Sequence, residues 1–100
     1  MDIADLSVES EDIELEATVT DVETPRIMTG KYGQKRITLA RLEDGTGEIP
    51  VTLWEEQIDA VEEGDRVRVR GAYTRDWAGD LQLNIPRDGA IEPAEQAHGN

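Results

Sequence analysis

Apolar and polar residues alternate along much of the chain, which is the pattern of β-strands that bury one face. In the first such stretch Glu and Thr separate the inward positions, which are Ile13, Leu15, Ala17 and Val19. Val22 falls out of this phase, which predicts a bulge that bends the strand sharply. Residues 23–33 contain one proline and two glycines, so we expect a long loop there.

Four more strands are predicted from the same period. The second carries Ile37 and Leu39, and Leu42 on the opposite parity indicates a slip of phase. A hairpin signal at residues 44–47 (DGTG) leads into the third strand. The inward positions that remain are Ile49, Val51 and Leu53 in the third strand, Val67 and Val69 in the fourth, and Leu81, Leu83 and Ile85 in the fifth.

One stretch, residues 55–63, has helical spacing, because Ile58 and Val61 lie three apart and Gly64 is placed to end a helix. The chain ends look different. We expect residues 1–10 to be loosely ordered, residues 11–87 to form the folded domain, and residues 88–100 to be a disordered acidic tail, since they lack periodicity.

This order of elements predicts an all-β fold, a five-stranded Greek-key OB-fold barrel with one short helix between strands 3 and 4. SH3-like barrels have no helix at that position and match less well. In an OB-fold the first strand bends so that it belongs to both halves of the barrel. The parity change after Val19 supplies that bend.

Length and composition narrow the function classes. One hundred residues allow a single domain. The chain has no cysteine and one histidine, His98, so thiol, imidazole and zinc chemistry are not expected. Its carboxylates are spread along acidic segments, and we expect no enzyme activity, no cofactor and no metal. No signal peptide or transmembrane helix is predicted, which favours a cytoplasmic location.

The charge is unevenly distributed. The formal net charge is -13, which by itself argues against a nucleic-acid ligand. However, nine of the ten basic residues fall in two windows without a single acid, residues 26–42 and 66–75. The alternating Arg66, Arg68 and Arg70 are equally compatible with the solvated face of a strand. The first window surrounds a Gly-rich loop, where a solvated loop of so acidic a protein would be expected to carry Asp or Glu.

OB-fold barrels bind oligonucleotides across strands 2 and 3, under the loops that join strands 1–2 and 4–5. The first basic window falls on this surface. Alternation points Trp54 outward at the end of the third strand, and Trp77 lies in a turn where nothing nearby in sequence buries it. Tyr32 lies in the first loop. Aromatic rings that stack on bases, next to cations that follow the backbone, are what single-stranded nucleic acid requires.

Residues 46–85 resemble the OB domains of archaeal single-stranded DNA-binding proteins related to replication protein A. The likeness is carried by four motifs, TGEI at 46–49, VTLW at 51–54, GD at 64–65 and WAGDLQL at 77–83. The resemblance implies a fold, a ligand and an assembly. It indicates a domain that binds single-stranded DNA in replication, repair or recombination and acts in tandem or with other OB-fold subunits.

The resemblance also implies roles for individual residues. Trp54 and Trp77 match the aromatic positions that stack on bases, and Lys31, Lys35 and Arg36 match basic positions that contact the strand. One position departs from the pattern: Pro50 stands where relatives often carry a basic residue. The full set of candidate nucleic-acid-binding residues is Arg26, Lys31, Tyr32, Lys35, Arg36, Thr38, Thr52, Trp54, Arg75, Trp77, Gln82 and Asn84.

Two alternative functions are compatible with the same sequence features. The first is an assembly module that binds another protein, for which acidic faces and the Arg row of the fourth strand are suited. The second is an RNA or tRNA ligand, because stacking platforms tolerate either sugar. The basic residues are eight Arg and two Lys against 23 acids, a composition suited to a salt-rich cytoplasm, and a haloarchaeal source is our hypothesis.

Overall fold

The computed structural model describes residues 2–8, 10–31 and 33–94, with the backbone alone at Trp77. Within these residues one short α-helix, α1 (Glu56–Asp59), lies between the fourth and fifth strands, and a 3-10 turn (Ile3–Asp5) precedes the first. The strands are β1 (Ile13–Val22), β2 (Arg26–Gly30), β3 (Gly33–Glu43), β4 (Glu48–Trp54), β5 (Arg66–Trp77), β6 (Asp80–Asn84) and β7 (Ala90–Pro93).

The sheet closes in a ring. Its strand order is β1-β3-β4-β6-β5, and β5 pairs back onto β1. The first half of β1 pairs with β5 and its second half with β3, and the register shifts between Val19 and Asp21. The predicted bulge is therefore confirmed, and it lets one strand serve both sides of the ring. The β-rich OB-fold with one short helix is confirmed as well.

Alternation along the strands fills the ring with aliphatic side chains. Ile13, Leu42, Ile49, Leu53 and Leu83 are the largest of the fully buried ones. The helix is shorter than the predicted 55–63, but Ile58 and Val61 still join the core. Among the described residues, no helix is long and apolar enough to cross a membrane.

The predicted loop between the first two strands is a β-hairpin. Residues 26–30 form β2, which pairs with the start of β3 in a register that runs from Arg26–Ile37 to Gly30–Gly33. Every residue of β2 is exposed, so β2 has no buried face. The alternation of apolar and polar residues that predicts a strand is therefore missing from this part of the sequence. Its strand structure rests on pairing with β3.

The predicted phase slip in the second strand is wrong. The register of β3 against β4 runs without a break from Ile37 to Glu43. The side chains that β3 buries belong to Thr38, Ala40 and Leu42. Because alternation is unbroken, Ile37 and Leu39 point to the outer face and are only half-buried there.

Both chain ends differ from the expectation. Residues 2–8 lie against the ring, where Ile3 is buried and its backbone N–H donates to Asp44 Oδ2 at 2.8 Å. The Thr74 hydroxyl donates to the carbonyl of Ser7 at 2.6 Å. The expected tail begins with an ordered strand, because β7 pairs with β5 and buries Ile91. Residues 95–100 lie outside the described residues.

Candidate nucleic-acid interface

The outer face of β3 and β4 continues onto the strands on either side. Across β3 and β4, Ile37 lies opposite Trp54 and Leu39 opposite Thr52. β2 extends the first of these rows, with Arg26 opposite Ile37. β6 extends the second, with Asn84 opposite Thr52. Four neighbouring strands therefore contribute side chains to one surface.

A groove of about 430 Å³ runs over this surface. It gathers residues that are far apart in sequence, from β2 to β6, because β2, β3, β4, β6 and β5 are successive neighbours in the sheet. Seven of the twelve candidate residues line it, and they are Arg26, Thr38, Thr52, Trp54, Arg75, Gln82 and Asn84. The sequence-based prediction of one shared surface is consistent with this geometry.

A second cavity, of about 190 Å³, lies beside the groove and under the β2–β3 hairpin. Lys31 and Lys35 line it together with Met28, and Trp54 forms a wall of both cavities. The Trp54 side chain is half-buried, so part of its ring is open to solvent. This indole therefore lies where the two cavities meet.

The backbone at Trp54 is held by a side chain of α1. The Trp54 N–H donates to Gln57 Oε1 at 2.9 Å, and Gln57 Nε2 donates to the carbonyl of Ile85 at 3.4 Å. Glu55, the residue that links β4 to the helix, has a φ of 50°. Gln57 thus ties the end of β4 to the end of β6, on the side where Trp54 leaves the strand.

Basic side chains line both cavities despite the acidic composition, together with one acidic residue, Glu23, in the larger cavity. Among the described residues, no carboxylate lies within 4.0 Å of the charged groups of Arg26, Lys31, Lys35 or Arg75. The Arg75 guanidinium carbon lies 5.9 Å from the ring centroid of Tyr73, within cation–π distance. These four cations are therefore available to a ligand.

Arg36 does not join them. It follows Lys35 in β3 and so lies on the opposite face, where its guanidinium contacts both carboxylate oxygens of Asp59, with Nη2 2.7 Å from Oδ2. Its Nε lies 3.8 Å from Glu55 Oε1. The hydrogen bond to Asp59 raises the pKa of Arg36 and lowers that of Asp59. The structure thus places this candidate in an ion pair between β3 and α1.

Thr38 lines the groove, but its hydroxyl donates to the carbonyl of Glu23 at 2.6 Å, and the side chain is buried. Its role is to fix the turn between β1 and β2. Two other candidates lie outside what the structure describes, Tyr32 altogether and Trp77 in its side chain. The Trp77 backbone ends β5 and pairs with Asp80, two residues beyond Arg75, which lines the groove.

The Arg row of the predicted fourth strand is on β5, away from the groove. Arg68 Nη2 lies 2.9 Å from Glu16 Oε2, and Arg70 Nη2 lies 3.4 Å from Glu92 Oε1. Arg66 Nη1 donates to the hydroxyl of Thr18 at 3.3 Å. These contacts to neighbouring strands fit the solvated-face interpretation of the row.

Sequence reasoning missed the apolar part of the site. Ile37, Leu39 and Met28 line the groove, although the sequence pattern predicts a core position for the first two and a loop for the third. The parity of Ala40 and Leu42 was the available signal. If those two residues fix the inward face of β3, then Ile37 and Leu39 must point outward.

Comparison with known proteins agrees with this architecture. Residues 13–91 match the family described as OB-fold nucleic acid binding domain. The chain is 28% identical over 94 residues to the single-stranded DNA binding protein Ssb of Saccharolobus solfataricus, and the match covers 94% of this chain and 64% of that protein. The chain therefore spans less than two thirds of the length of this relative.

Solved structures share the fold. The replication factor A related protein from Methanobacterium thermoautotrophicum superimposes with a TM-score of 0.79 at 22% identity, covering 95% of this chain and 90% of that one. The second OB-fold domain of replication protein A from Methanococcus maripaludis gives 0.77 at 24% identity, covering 99% and 98%. With the family match over residues 13–91, the chain belongs to the family of OB-fold nucleic acid binding domains.

Proposed function

We propose that this domain binds single-stranded DNA in replication, repair or recombination, with bases stacked on Trp54 and Trp77. The position of Trp54 carries the proposal. Its half-buried indole forms a wall of both cavities. Arg26 lines the larger of them and Lys35 the smaller. A stacked base on Trp54 would have cations on either side to meet its phosphates.

The apolar surface around Trp54 favours unpaired bases. Met28, Ile37 and Leu39 line the groove beside it. A base that is paired inside a duplex has its faces covered by its neighbours in the stack, so it cannot offer them to this surface. Stacking on aromatic side chains contributes about 1–3 kcal/mol per base and tolerates different bases. A single-stranded ligand uses this surface and a duplex does not.

The proposal treats the protein as a binding domain without catalytic activity, and it includes further OB-folds. One groove of this size holds only a few nucleotides, and site sizes in OB-folds start at about four. The relative from Saccharolobus solfataricus is longer than this chain, and a solved replication protein A assembly with a similar domain is a heterotrimer bound to single-stranded DNA. Other OB-fold subunits, or further domains, are the proposed partners.

Tryptophan fluorescence tests the proposal directly, because the chain has two tryptophans and both belong to the proposed site. Titration with oligo-dT should quench the emission, and an equal concentration of duplex should quench it far less. Trp54→Ala and Trp77→Ala should each weaken oligo-dT binding by roughly 5- to 150-fold, read by anisotropy of a labelled oligonucleotide. Unchanged affinity in both variants would overturn the stacking proposal.

The same titration with oligo-U separates DNA from RNA. Equal affinity for oligo-U and oligo-dT would move the proposal to RNA or to single strands in general. We also propose a halophilic, haloarchaeal source and a salt-rich cytoplasm as the working environment. The net charge of -13 and the eight arginines against two lysines support it.

A further inference from the structure

The floor of the groove contains a polar group without a partner. The Asn84 side chain lines the groove, and its amide nitrogen, Nδ2, is buried. No hydrogen-bond acceptor among the described residues contacts this nitrogen. Buried amide groups in proteins are nearly always hydrogen-bonded, so an exception at a proposed binding surface calls for a cause.

The unpaired amide costs stability in the free protein. A buried donor that has lost its water and gained no partner destabilises the folded state by the desolvation penalty of that donor. An apolar residue of the same shape would avoid this cost, and Leu39, which lies in the same cross-strand row and lines the groove, shows that this outer face accommodates an aliphatic side chain. The identity of residue 84 is therefore not explained by the folded structure alone.

The position of Asn84 indicates what its partner is. It lies in the row that runs across the ring from Leu39 through Thr52 to Asn84 and Tyr73. In this row Thr52 is buried. The cations of the groove come from other cross-strand rows, since Arg26 lies opposite Ile37 and Arg75 lies opposite Gln82. A phosphate would be drawn to those cations, which leaves the middle of the floor to the bases.

We infer that the Asn84 side-chain amide hydrogen-bonds the edge of a nucleobase that lies in this groove, so that the domain distinguishes base edges and not only base faces. A carboxamide offers one donor and one acceptor side by side, the arrangement that base edges match. Rotation by a half-turn about the Cβ–Cγ bond brings either end to the ligand. The inference rests on the proposed function and adds a base-reading residue to it.

A thymine isostere without hydrogen-bonding groups, difluorotoluene, isolates this contact, because it keeps the shape and stacking face of thymine. Two short oligonucleotides of equal length, one of dT and one of difluorotoluene at every position, are titrated against the 100-residue protein. The parent should bind the isostere about five- to tenfold more weakly than dT, and this factor is the ratio of the two dissociation constants. In Asn84→Leu the ratio should be about threefold smaller. The difference between parent and variant gives the coupling between Asn84 and the base edge, as in a double-mutant cycle.

Gln34→Leu is the matched control. Gln34 is an exposed carboxamide on β3, opposite Thr29 in the hairpin, and it lines neither cavity of the interface. It should leave the dT-to-isostere ratio at the parent value. Asn84→Ala repeats the ratio measurement with a smaller side chain in case Leu disturbs the fold.

Stability supplies a second measurement. Because the amide is unpaired in the free protein, Asn84→Leu should raise Tm, by about 4 °C. A fall in Tm would mean that the amide is a structural hydrogen-bonding group and would overturn the inference. Equal binding of dT and isostere by the parent, or a ratio unchanged in both Asn84 variants, would overturn it while leaving single-strand binding intact. Absence of binding to both oligonucleotides would instead overturn the proposed function.

Discussion

Ile37 lies directly opposite Trp54 in the antiparallel pair of β3 and β4, and both side chains are on the outer face of the ring. A β-branched residue opposite an aromatic one is a favourable cross-strand pair, worth a few tenths to 1 kcal/mol. Both side chains are half-buried. Ile37 thus supports the indole from one side and extends the apolar surface on which a base would lie.

We predict that Ile37→Ala weakens binding to oligo-dT about fivefold. Removing three carbons from a half-buried side chain forfeits about 1 kcal/mol of apolar contact that a bound base would complete. Anisotropy of a labelled oligonucleotide measures the affinity, and urea denaturation measures the loss of stability in the same variant. The variant should remain folded in the absence of urea, so partial unfolding should not account for its lower affinity.

Ile27→Ala is the control for this prediction. Ile27 is the same residue type on the neighbouring strand, but it pairs with Arg36, faces away from the groove and is 58% exposed. Its removal should change stability by less than about 0.5 kcal/mol and leave affinity unchanged. Equal effects of the two substitutions would mean that the hairpin as a whole, not the outer face of β3, governs binding.

A second prediction concerns the cations of the groove. Lys35→Gln and Arg75→Gln should each weaken oligo-dT binding at the lowest salt concentration at which the protein remains folded. Each should also reduce the slope of the logarithm of the association constant against the logarithm of the salt concentration by about 0.7, because a single-strand phosphate contact releases about that many counterions. Arg68→Gln should do neither, since its guanidinium is paired with Glu16 on the far side of the ring. A reduced slope for Arg68→Gln would place the ligand on β5 instead.

The sequence predicted the ring well because alternation is a strong signal where one face of a strand is fully buried. Ile13, Leu15, Ala17 and Val19 are all buried as predicted. Trp54 was placed outward by the same argument, which its half-buried position in the groove supports. These inferences needed only local periodicity.

Alternation fails where the outer face of a strand is itself apolar. Ile37 and Leu39 look like core residues because Thr38 separates them, and the parity of Ala40 and Leu42 is the signal that contradicts that assignment. The β2 strand was missed for the opposite reason, since all of its residues are exposed. The ion pair of Arg36 with Asp59 joins positions 23 residues apart, which spacing along the chain does not reveal.

A third prediction concerns the attachment of the N-terminal segment. Asp44 accepts hydrogen bonds from the backbone of Ile3 at 2.8 Å and from the backbone and hydroxyl of Thr46 at 2.9 and 2.6 Å. Burial raises the pKa of Asp44, but the hydrogen bonds together outweigh it, so the pKa lies below its usual value. The ionised carboxylate therefore stabilises the folded state, fully so above the unfolded pKa of about 4.

This stabilisation is lost as the pH falls below about 4 and through the lowered folded-state pKa. Asp44→Asn should therefore lower the urea midpoint at pH 7, and the gap between variant and parent should close in acid. Midpoints at pH 7, 5 and 3 measure it. Asp21→Asn, at an exposed position of β1, is the control and should give no gap at any pH. A gap for Asp44→Asn that stays constant to pH 3 would contradict the assigned role of its charge.

The last prediction follows from the net charge of -13. Self-repulsion of so many carboxylates opposes folding at low ionic strength, whereas in molar salt the Debye length shrinks to about 3 Å and the repulsion is screened. Dialysis from 2 M to 0.05 M KCl should therefore abolish the folded far-UV circular dichroism spectrum, and full stability at low salt would argue against a halophilic source. A triple variant, Glu56→Gln, Glu62→Gln and Glu63→Gln, removes three exposed negative charges and should fold at lower salt than the parent.

Because the same screening weakens phosphate attraction, oligo-dT binding in 2 M KCl should depend on Trp54 far more than on Lys35 or Arg75.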